Sequence, residues 1–422
     1  MKKRLLVIVG LLIVGLPMVA GTVYISDPQF WNRYNGVLKS QVFNQPRGQW
    51  YSPLAPVSSI PGDALAMGQP VDELTEAIEK ADSYAKQHNS LSFSVWHDGK
   101  VVRNSHYGET SSDTLIVSKS LAKPLASMVM ARAFEQGYFQ SLDQSASDFI
   151  SEWKGSDKAA ITIRHILNMS TGMERFYKQT INPFSNYHKA FLSGKHEDVI
   201  VNDIPLVEEP GSYYDYSQPA SDLVAVLIQR ATQRKYEEYL ASELLTPIQA
   251  MGGEIWLNRE GGVAHSGCCI MLPSDTWLRL GVLMVQNGVW QGKRILPNWW
   301  NQEILKGSQA NPNYSLYFWL GTPHVPRRHF VDPDHIPNPG TLQSEPYLAD
   351  DLFMFDGNGN QVIYIVPSRK LVVVRTGGWP GKGIDGKEWD NTYIANTIIR
   401  AVDQLNTKSS EGSPPLSSAM QW

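Results

Sequence analysis

Cysteine is nearly missing from this chain: two residues among 422, adjacent at Cys268 and Cys269. A disulfide framework is therefore excluded, and no nearby cluster supplies further ligands at a zinc-like spacing, so no metal is expected. The pair can close on itself as a vicinal disulfide; two buried thiols are the expected state. A strong excess of one charge is lacking too. The formal charge is −4 and no basic block occurs, which argues against a nucleic-acid partner. No serine stands in a G-x-S-x-G elbow, so a Ser-His-Asp triad is not expected. His88, His97, His165, His265, His324, His329 and His335 are scattered, with no H-x-x-x-H pair beside a carboxylate, and are read as surface or structural. There is no internal repeat.

One apolar run approaches membrane-spanning length. Leu5 to Ile25 follows Lys2, Lys3 and Arg4. That run is about long enough to cross a bilayer core, and its basic flank points the rest of the chain outward. Residues 1–26 are read as a membrane anchor, with a cleaved signal peptide as the rival. The first reading places the remaining chain in the periplasm or an equivalent extracytoplasmic space; the second secretes it. Residues 27–70 are rich in aromatics, Pro, Gly and Ser without a sustained period, and are expected to form an extended arm. Residues 71–405 are expected to form the main domain, and 406–422, rich in Ser and Pro, a disordered tail.

Val71, Leu74, Ile78, Ala81 and Ala85 recur at helical spacing. Leu91 to His97 and Lys100 to His106 flank Asp98-Gly99, a hairpin signal. From Ala122 to about Ile270 the pattern is mainly helical, with short helices over Ile161–Met169 and Ser221–Gln233. Further helices are expected over Ser274–Asn287, Asn298–Leu305 and Trp389–Leu405. Strands are expected over Tyr314–Leu320, Gln361–Val366 and Leu371–Arg375. Residues 321–350 read as an inserted loop, and long loops in compact domains are often functional. The alternation implies a sheet covered by helices.

The chemistry concentrates at Val117-Ser118-Lys119-Ser120-Leu121-Ala122-Lys123-Pro124. In that stretch only Ser120 has a lysine at i+3, which on a helix lies one turn along the same face. A serine needs a neighbouring base to become a nucleophile, and a desolvated lysine can be that base. Pro124 is tolerated only near a helix start, so Ser120 belongs at an N-terminus, where amide N–H groups favour developing oxyanion charge. A second motif is Pro210-Gly211-Ser212-Tyr213-Tyr214-Asp215-Tyr216-Ser217-Gln218.

The S-x-x-K stretch, Ile161–Gly172, the Tyr216-Ser217-Gln218 motif and Gly357-Asn358-Gly359-Asn360-Gln361 follow in the order of class C β-lactamase-like serine hydrolases. The chain resembles that superfamily over roughly residues 85 to 405, and within it the 6-aminohexanoate-dimer hydrolases most. The resemblance implies an α/β (α+β) fold: an antiparallel sheet flanked by helices, plus a mainly helical subdomain. It implies that Tyr216 hydrogen-bonds Ser120 and shuttles its proton with Lys123. Gln218, where the family most often has Asn, is implied as a substrate contact. The family's Lys-Thr-Gly triplet counts to Phe355-Asp356-Gly357. Asp356 and Gly357 then face substrate, and the oxyanion hole is made by the backbone N–H groups of Ser120 and Asn358. Arg375-Thr376-Gly377 is read as a decoy, although Arg375 could return a cation to the site.

The implied activity is hydrolysis of an ester, amide or peptide bond through an acyl-enzyme, with no cofactor. The alternative is a non-hydrolytic, penicillin-binding-like protein of the same fold. An ionised Asp356 is expected to repel anionic substrates such as β-lactams.

Overall fold

In the computed structural model, which describes residues 27–43, 51–175, 185–331, 338–383 and 385–411, the β-branched runs near the C-terminus pair with the hairpin near the start of the domain. The principal helices are α1 (Pro28–Phe43), α2 (Asp72–Gln87), α3 (Ala122–Glu135), α4 (Ile163–Leu167), α5 (Gln218–Thr232), α6 (Ser274–Val285) and α7 (Tyr393–Glu411). The early strands are β1 (Leu54–Val57), β2 (Ser90–His97), β3 (Lys100–His106), β4 (Ile116–Val117), β5 (Gly253–Trp256) and β6 (Ile270–Leu272). The later ones are β7 (Tyr314–Ser315), β8 (Phe318–Leu320), β9 (Arg327–Arg328), β10 (Thr341–Leu342), β11 (Phe353–Gly357), β12 (Gln361–Val366) and β13 (Leu371–Gly377).

Seven strands form one antiparallel sheet in the order β3-β2-β13-β12-β11-β8-β7. Every residue of β11, β12 and β13 is buried, so both faces of the sheet centre are covered. Helix α6 packs over β12 and β13. Gly281 allows the closest approach, because a Cβ there would lie 2.5 Å from Val372 Cγ1. Helices α2 and α7 pack on each other, α2 runs along β2, and Lys408 pairs with Glu73 at 2.5 Å. Helix α3, buried almost throughout, packs against α5, and α4 joins them in the helical subdomain. This is the fold class expected from the sequence.

A second sheet, ordered β1-β5-β6-β4, determines where the site lies. Its last pair sets Val117 opposite Met271, three residues before Ser120. Its first strand belongs to the segment preceding the domain. That segment differs from the extended arm expected over 27–70. Residues 28–43 form α1, whose Phe30 and Arg33 are buried. The sequence hides this helix because its apolar face is aromatic and interrupted by Asn32, Asn35 and Gly36. Two more expectations are corrected. Cys268 and Cys269 are joined as a vicinal disulfide rather than standing as two thiols. Residues 406–411 continue α7 rather than starting a tail, and the Lys408–Glu73 pair ties that extension to α2. Residues 1–26, expected to anchor the chain, lie outside the described residues, as do 412–422. Among the described residues no helix is long and apolar enough to cross a membrane.

Candidate active site

Strand β4 delivers the chain to the site. Ser118 N–H donates to Ile270 O at 2.8 Å, which continues the β4–β6 pairing by one residue. Lys119 then takes a positive φ of 50°, a costly conformation for a non-glycine residue that turns the chain sharply. A single 3₁₀ turn over Lys119–Leu121 leads into α3. Ser120 is half-buried at the helix start, as its neighbouring proline requires. Lys123, one turn on, is 1% exposed. Its Nζ lies 3.1 Å from Ser120 Oγ, and it donates to Gln218 Oε1 at 2.8 Å and to Gly267 O at 2.9 Å.

Tyr216 arrives from the loop before α5. Ser217 caps that helix, its Oγ accepting from Ala220 N–H. The stretch ending Met169-Ser170-Thr171-Gly172 buttresses the loop. Asp215 N–H donates to Met169 O at 2.8 Å, and Gly211 N–H to Ser170 O at 2.7 Å. The Tyr216 phenol hydrogen-bonds Ser120. Lys123 Nζ sits 4.8 Å from the centre of the Tyr216 ring. The amide of Gln218, expected to face substrate, is instead engaged at both ends. Its Oε1 takes the Lys123 bond and its Nε2 donates to Asp222 Oδ1 at 3.4 Å.

Burial sets the protonation of this group. Removal from water brings Lys123 down to about 7, with Asp222 pulling the other way. Burial likewise pushes Tyr216 above its ordinary value, and the Ser120 bond only partly offsets it. Burial opposes the charge on each group. Near pH 7 the lysine is therefore poised between ammonium and amine, and its neutral form stands beside a neutral phenol. A neutral lysine has two N–H donors and one lone pair. Two carbonyls hold the donors, which leaves the lone pair for the Ser120 proton.

Phe355-Asp356-Gly357 ends strand β11. Strand β11 runs beside the 3₁₀ turn, and a Cβ on Gly357 would lie 2.9 Å from Ser118 O and 3.1 Å from Leu121 N. The absence of a side chain lets the strand touch the backbone around Ser120. Asn358 follows, exposed, at the turn into β12. Among the described residues no backbone carbonyl accepts from the amide of Ser120 or of Asn358.

Asp356 departs from its expected role. It is buried and pairs with the buried guanidinium of Arg328, so its charge is matched rather than presented to a ligand. Arg328 comes from the 321–350 loop, on β9, and stacks on Trp319 at 4.6 Å. Phe330 from the same loop packs 5.4 Å from Tyr216 and 5.5 Å from Trp319. The long loop thus forms one wall of the site, neutral overall and largely aromatic. Arg375 supplies no cation there. It is fully buried and donates to His88 O, Gly359 O, Asn360 O and Gly378 O at 2.6 to 3.1 Å, bracing the Asn358 turn from behind.

Sequence reasoning passed over Arg328, whose partner lies 28 residues away with no periodic signal. It also passed over the role of Gln361, whose Nε2 donates to Val117 O and Ser118 O and fastens β12 to the Ser120 segment. Asp222 was legible: an acid four residues after Gln218, at the head of the apolar run Leu223–Ile228. A cavity of about 980 Å³ lies away from Ser120 between α2, α7 and residues 385–390.

Residues 73–265 match the beta-lactamase family. The fold comparison agrees. A candidate 6-aminohexanoate-dimer hydrolase from Bacillus anthracis superposes with a TM-score of 0.65 at 16% identity, covering 86% of this chain and 94% of that one. A class C beta-lactamase gives 0.55 at 14% identity, covering 79% and 98%. A family VIII carboxylesterase gives 0.54 at 14% identity, covering 82% and 100%. The chain therefore shares the class C-like fold, an antiparallel sheet beside a helical subdomain.

Proposed function

We propose that this protein is a serine hydrolase that cleaves a small ester or amide through an acyl-enzyme on Ser120. The observation that carries the reading is Lys123 Nζ, removed from water, 3.1 Å from Ser120 Oγ, with both N–H donors taken by carbonyls. Lys123 takes the Ser120 proton as Oγ attacks the carbonyl carbon. Tyr216, protonated and bonded to Ser120, passes a proton to the leaving group and draws one from Lys123. Water then attacks the acyl carbon, and the proton path runs in reverse. The amides of Ser120 and Asn358 receive the oxyanion; one such donor is typically worth about 3 kcal/mol. The similar proteins include a 6-aminohexanoate-dimer hydrolase candidate and a carboxylesterase, which supports esters and amides as the substrate class.

Ser120→Ala should abolish labelling by a fluorophosphonate probe, and Ser118→Ala should not. Persistent labelling of the Ser120 variant would overturn the assignment. Multiple turnover of an activated ester by the unmodified protein distinguishes a hydrolase from a binder that acylates once. The aromatic wall of Tyr216, Trp319 and Phe330, and the internally matched Asp356–Arg328 pair, favour uncharged acyl groups. p-Nitrophenyl butyrate should therefore exceed nitrocefin in kcat/KM; the reverse order would show an unassigned cation at the site. Leu5 to Ile25, with its basic flank, supports attachment to the outer face of the cytoplasmic membrane. Fractionation should find the full chain in the membrane pellet, and a shortened form in the soluble extracytoplasmic fraction would replace the anchor by a cleaved signal.

A further inference from the structure

Behind Lys123 lies a polar chain that the hydrolytic mechanism does not use. Asp222 is fully buried on α5. Its Oδ1 accepts from Gly267 N–H at 2.8 Å and from Gln218 Nε2 at 3.4 Å. Gly267 and Gln218 are the residues whose carbonyl oxygens hold Lys123. One carboxylate oxygen thus orients both acceptors of the lysine. The other, Oδ2, lies 3.0 Å from His265 Nδ1, and His265 Nε2 lies 2.7 Å from the Tyr51 hydroxyl. Tyr51 stacks on Trp256 at 4.2 Å and belongs to the segment before the domain. Its neighbour Ser52 accepts from the buried Arg33 of α1.

We propose that Asp222 is a positioning residue for Lys123. With His265 and Tyr51 it forms a buried relay that keeps the lysine's two N–H groups on Gln218 and Gly267 and its lone pair on Ser120. The inference rests on Lys123 acting as the base. Asp222 also supplies the negative charge facing the lysine, so it opposes the effect of burial and keeps Lys123 from falling further. Among the described residues no other charged group bears on Lys123 from its surroundings, which are Ser120, the Tyr216 ring, Gln218 and Gly267 O. Around Asp222 stand Tyr51, Tyr236 and Tyr317, all held protonated by burial, and the His265 ring. His196 stacks on His265 at 4.3 Å, and burial keeps it well below its ordinary value and hence neutral.

Donor atoms of His196, Asp222 and His265 lie within 4.8 Å of one another, a spacing that suits a metal ion. Both His265 nitrogens and both Asp222 oxygens already have protein partners, so a bound ion would have to break the relay. The contacts identify a hydrogen-bonded support instead.

Asp222→Asn separates positioning charge from shape. The asparagine carbonyl can still accept from Gly267, and a change of His265 tautomer lets its nitrogen accept from the new amide. The charge is removed, and a neutral oxygen holds Gly267 and Gln218 less firmly than a carboxylate does. The acidic limb of kcat/KM, which reports the free lysine, should move to lower pH by about one unit, the low end for loss of a nearby opposite charge. The plateau should fall about 10- to 100-fold as the lysine loses its alignment. A structural role alone would lower yield or Tm, or scale the whole profile, without moving the limb. An unmoved limb in a folded Asp222→Asn protein overturns the proposal. Tyr51→Phe is the second variant: it keeps the charge, so the limb should stay in place while the plateau drops less. A limb shift in Tyr51→Phe equal to that of Asp222→Asn would also overturn it. Fluorophosphonate labelling of Ser120→Ala keeps the two levels apart. Retained labelling would remove the hydrolase reading; lost labelling with an unmoved Asp222→Asn limb would remove the relay alone.

Discussion

Lys123 carries the site's dependence on pH in two ways, and both rise with pH. For activity, the neutral amine is the competent form, so kcat/KM should climb with a midpoint near 7 as the lysine loses its proton. For stability, the group titrates near its ordinary value in the unfolded chain and near 7 when folded. Between those values the unfolded chain binds more protons, so the lysine's contribution to stability improves as pH rises through that window. Below it, the cost of burying the charge is fully present. Lys123→Met should therefore raise the unfolding free energy from urea titration at pH 6, by up to about 5 kcal/mol, and raise it much less at pH 10. A gain independent of pH would mean the lysine stays charged in the folded protein. Lys123→Arg should remove activity by about a thousandfold or more, because guanidinium does not deprotonate at any working pH.

At the scale of elements, the site sits where β11, the Lys119 turn and the start of α5 meet. The buried Asp356–Arg328 pair joins β11 to β9, and so fastens the 321–350 loop to the sheet. Arg328→Met leaves a buried carboxylate without its partner and should cost about 3–5 kcal/mol. Adding Asp356→Leu should recover most of that loss, since a well-packed apolar pair often replaces a buried ion pair without penalty. Chemical denaturation of the two singles and the double measures the coupling. Failure of the double to recover would show that the pair acts through other contacts. The local parts of this region were legible: Ser120 and Lys123 share a helical face, Pro124 marks the helix start, and Asp98-Gly99 marks the hairpin. The pairings that close the site were not. Arg328 with Asp356, Gln361 with Val117 and Ser118, and Arg375 with the 359–360 carbonyls join residues far apart in sequence. No periodicity encodes them. Arg375 was legible as a cation near a strand end, yet only the fold shows its five donors turned inward.

Over the whole molecule, the segment before the domain is part of the catalytic unit. Arg33 donates to Leu192 O, Leu257 O and Asn258 O as well as to Ser52, and β1 completes the sheet that leads to Ser118. Removal of residues 1–57 should lower both stability and turnover, whereas removal of 1–26 should leave them close to those of the full chain. Thermal unfolding and ester turnover of the two shortened proteins compare them directly. Equal activity in both would make the arm dispensable.

The Cys268–Cys269 bond takes on a particular meaning in this setting. It occupies the two residues between Gly267, whose carbonyl holds Lys123, and Ile270, whose carbonyl holds Ser118. Lys123 and the Ser120 segment are therefore anchored on either side of one reducible link. Such links persist where the surroundings are oxidising and open where thiols are kept reduced. Alkylation of the denatured protein should capture no cysteine before treatment with a phosphine and two after it. The same reductant applied to the folded enzyme then reads whether the electron supply of its compartment reaches the active site.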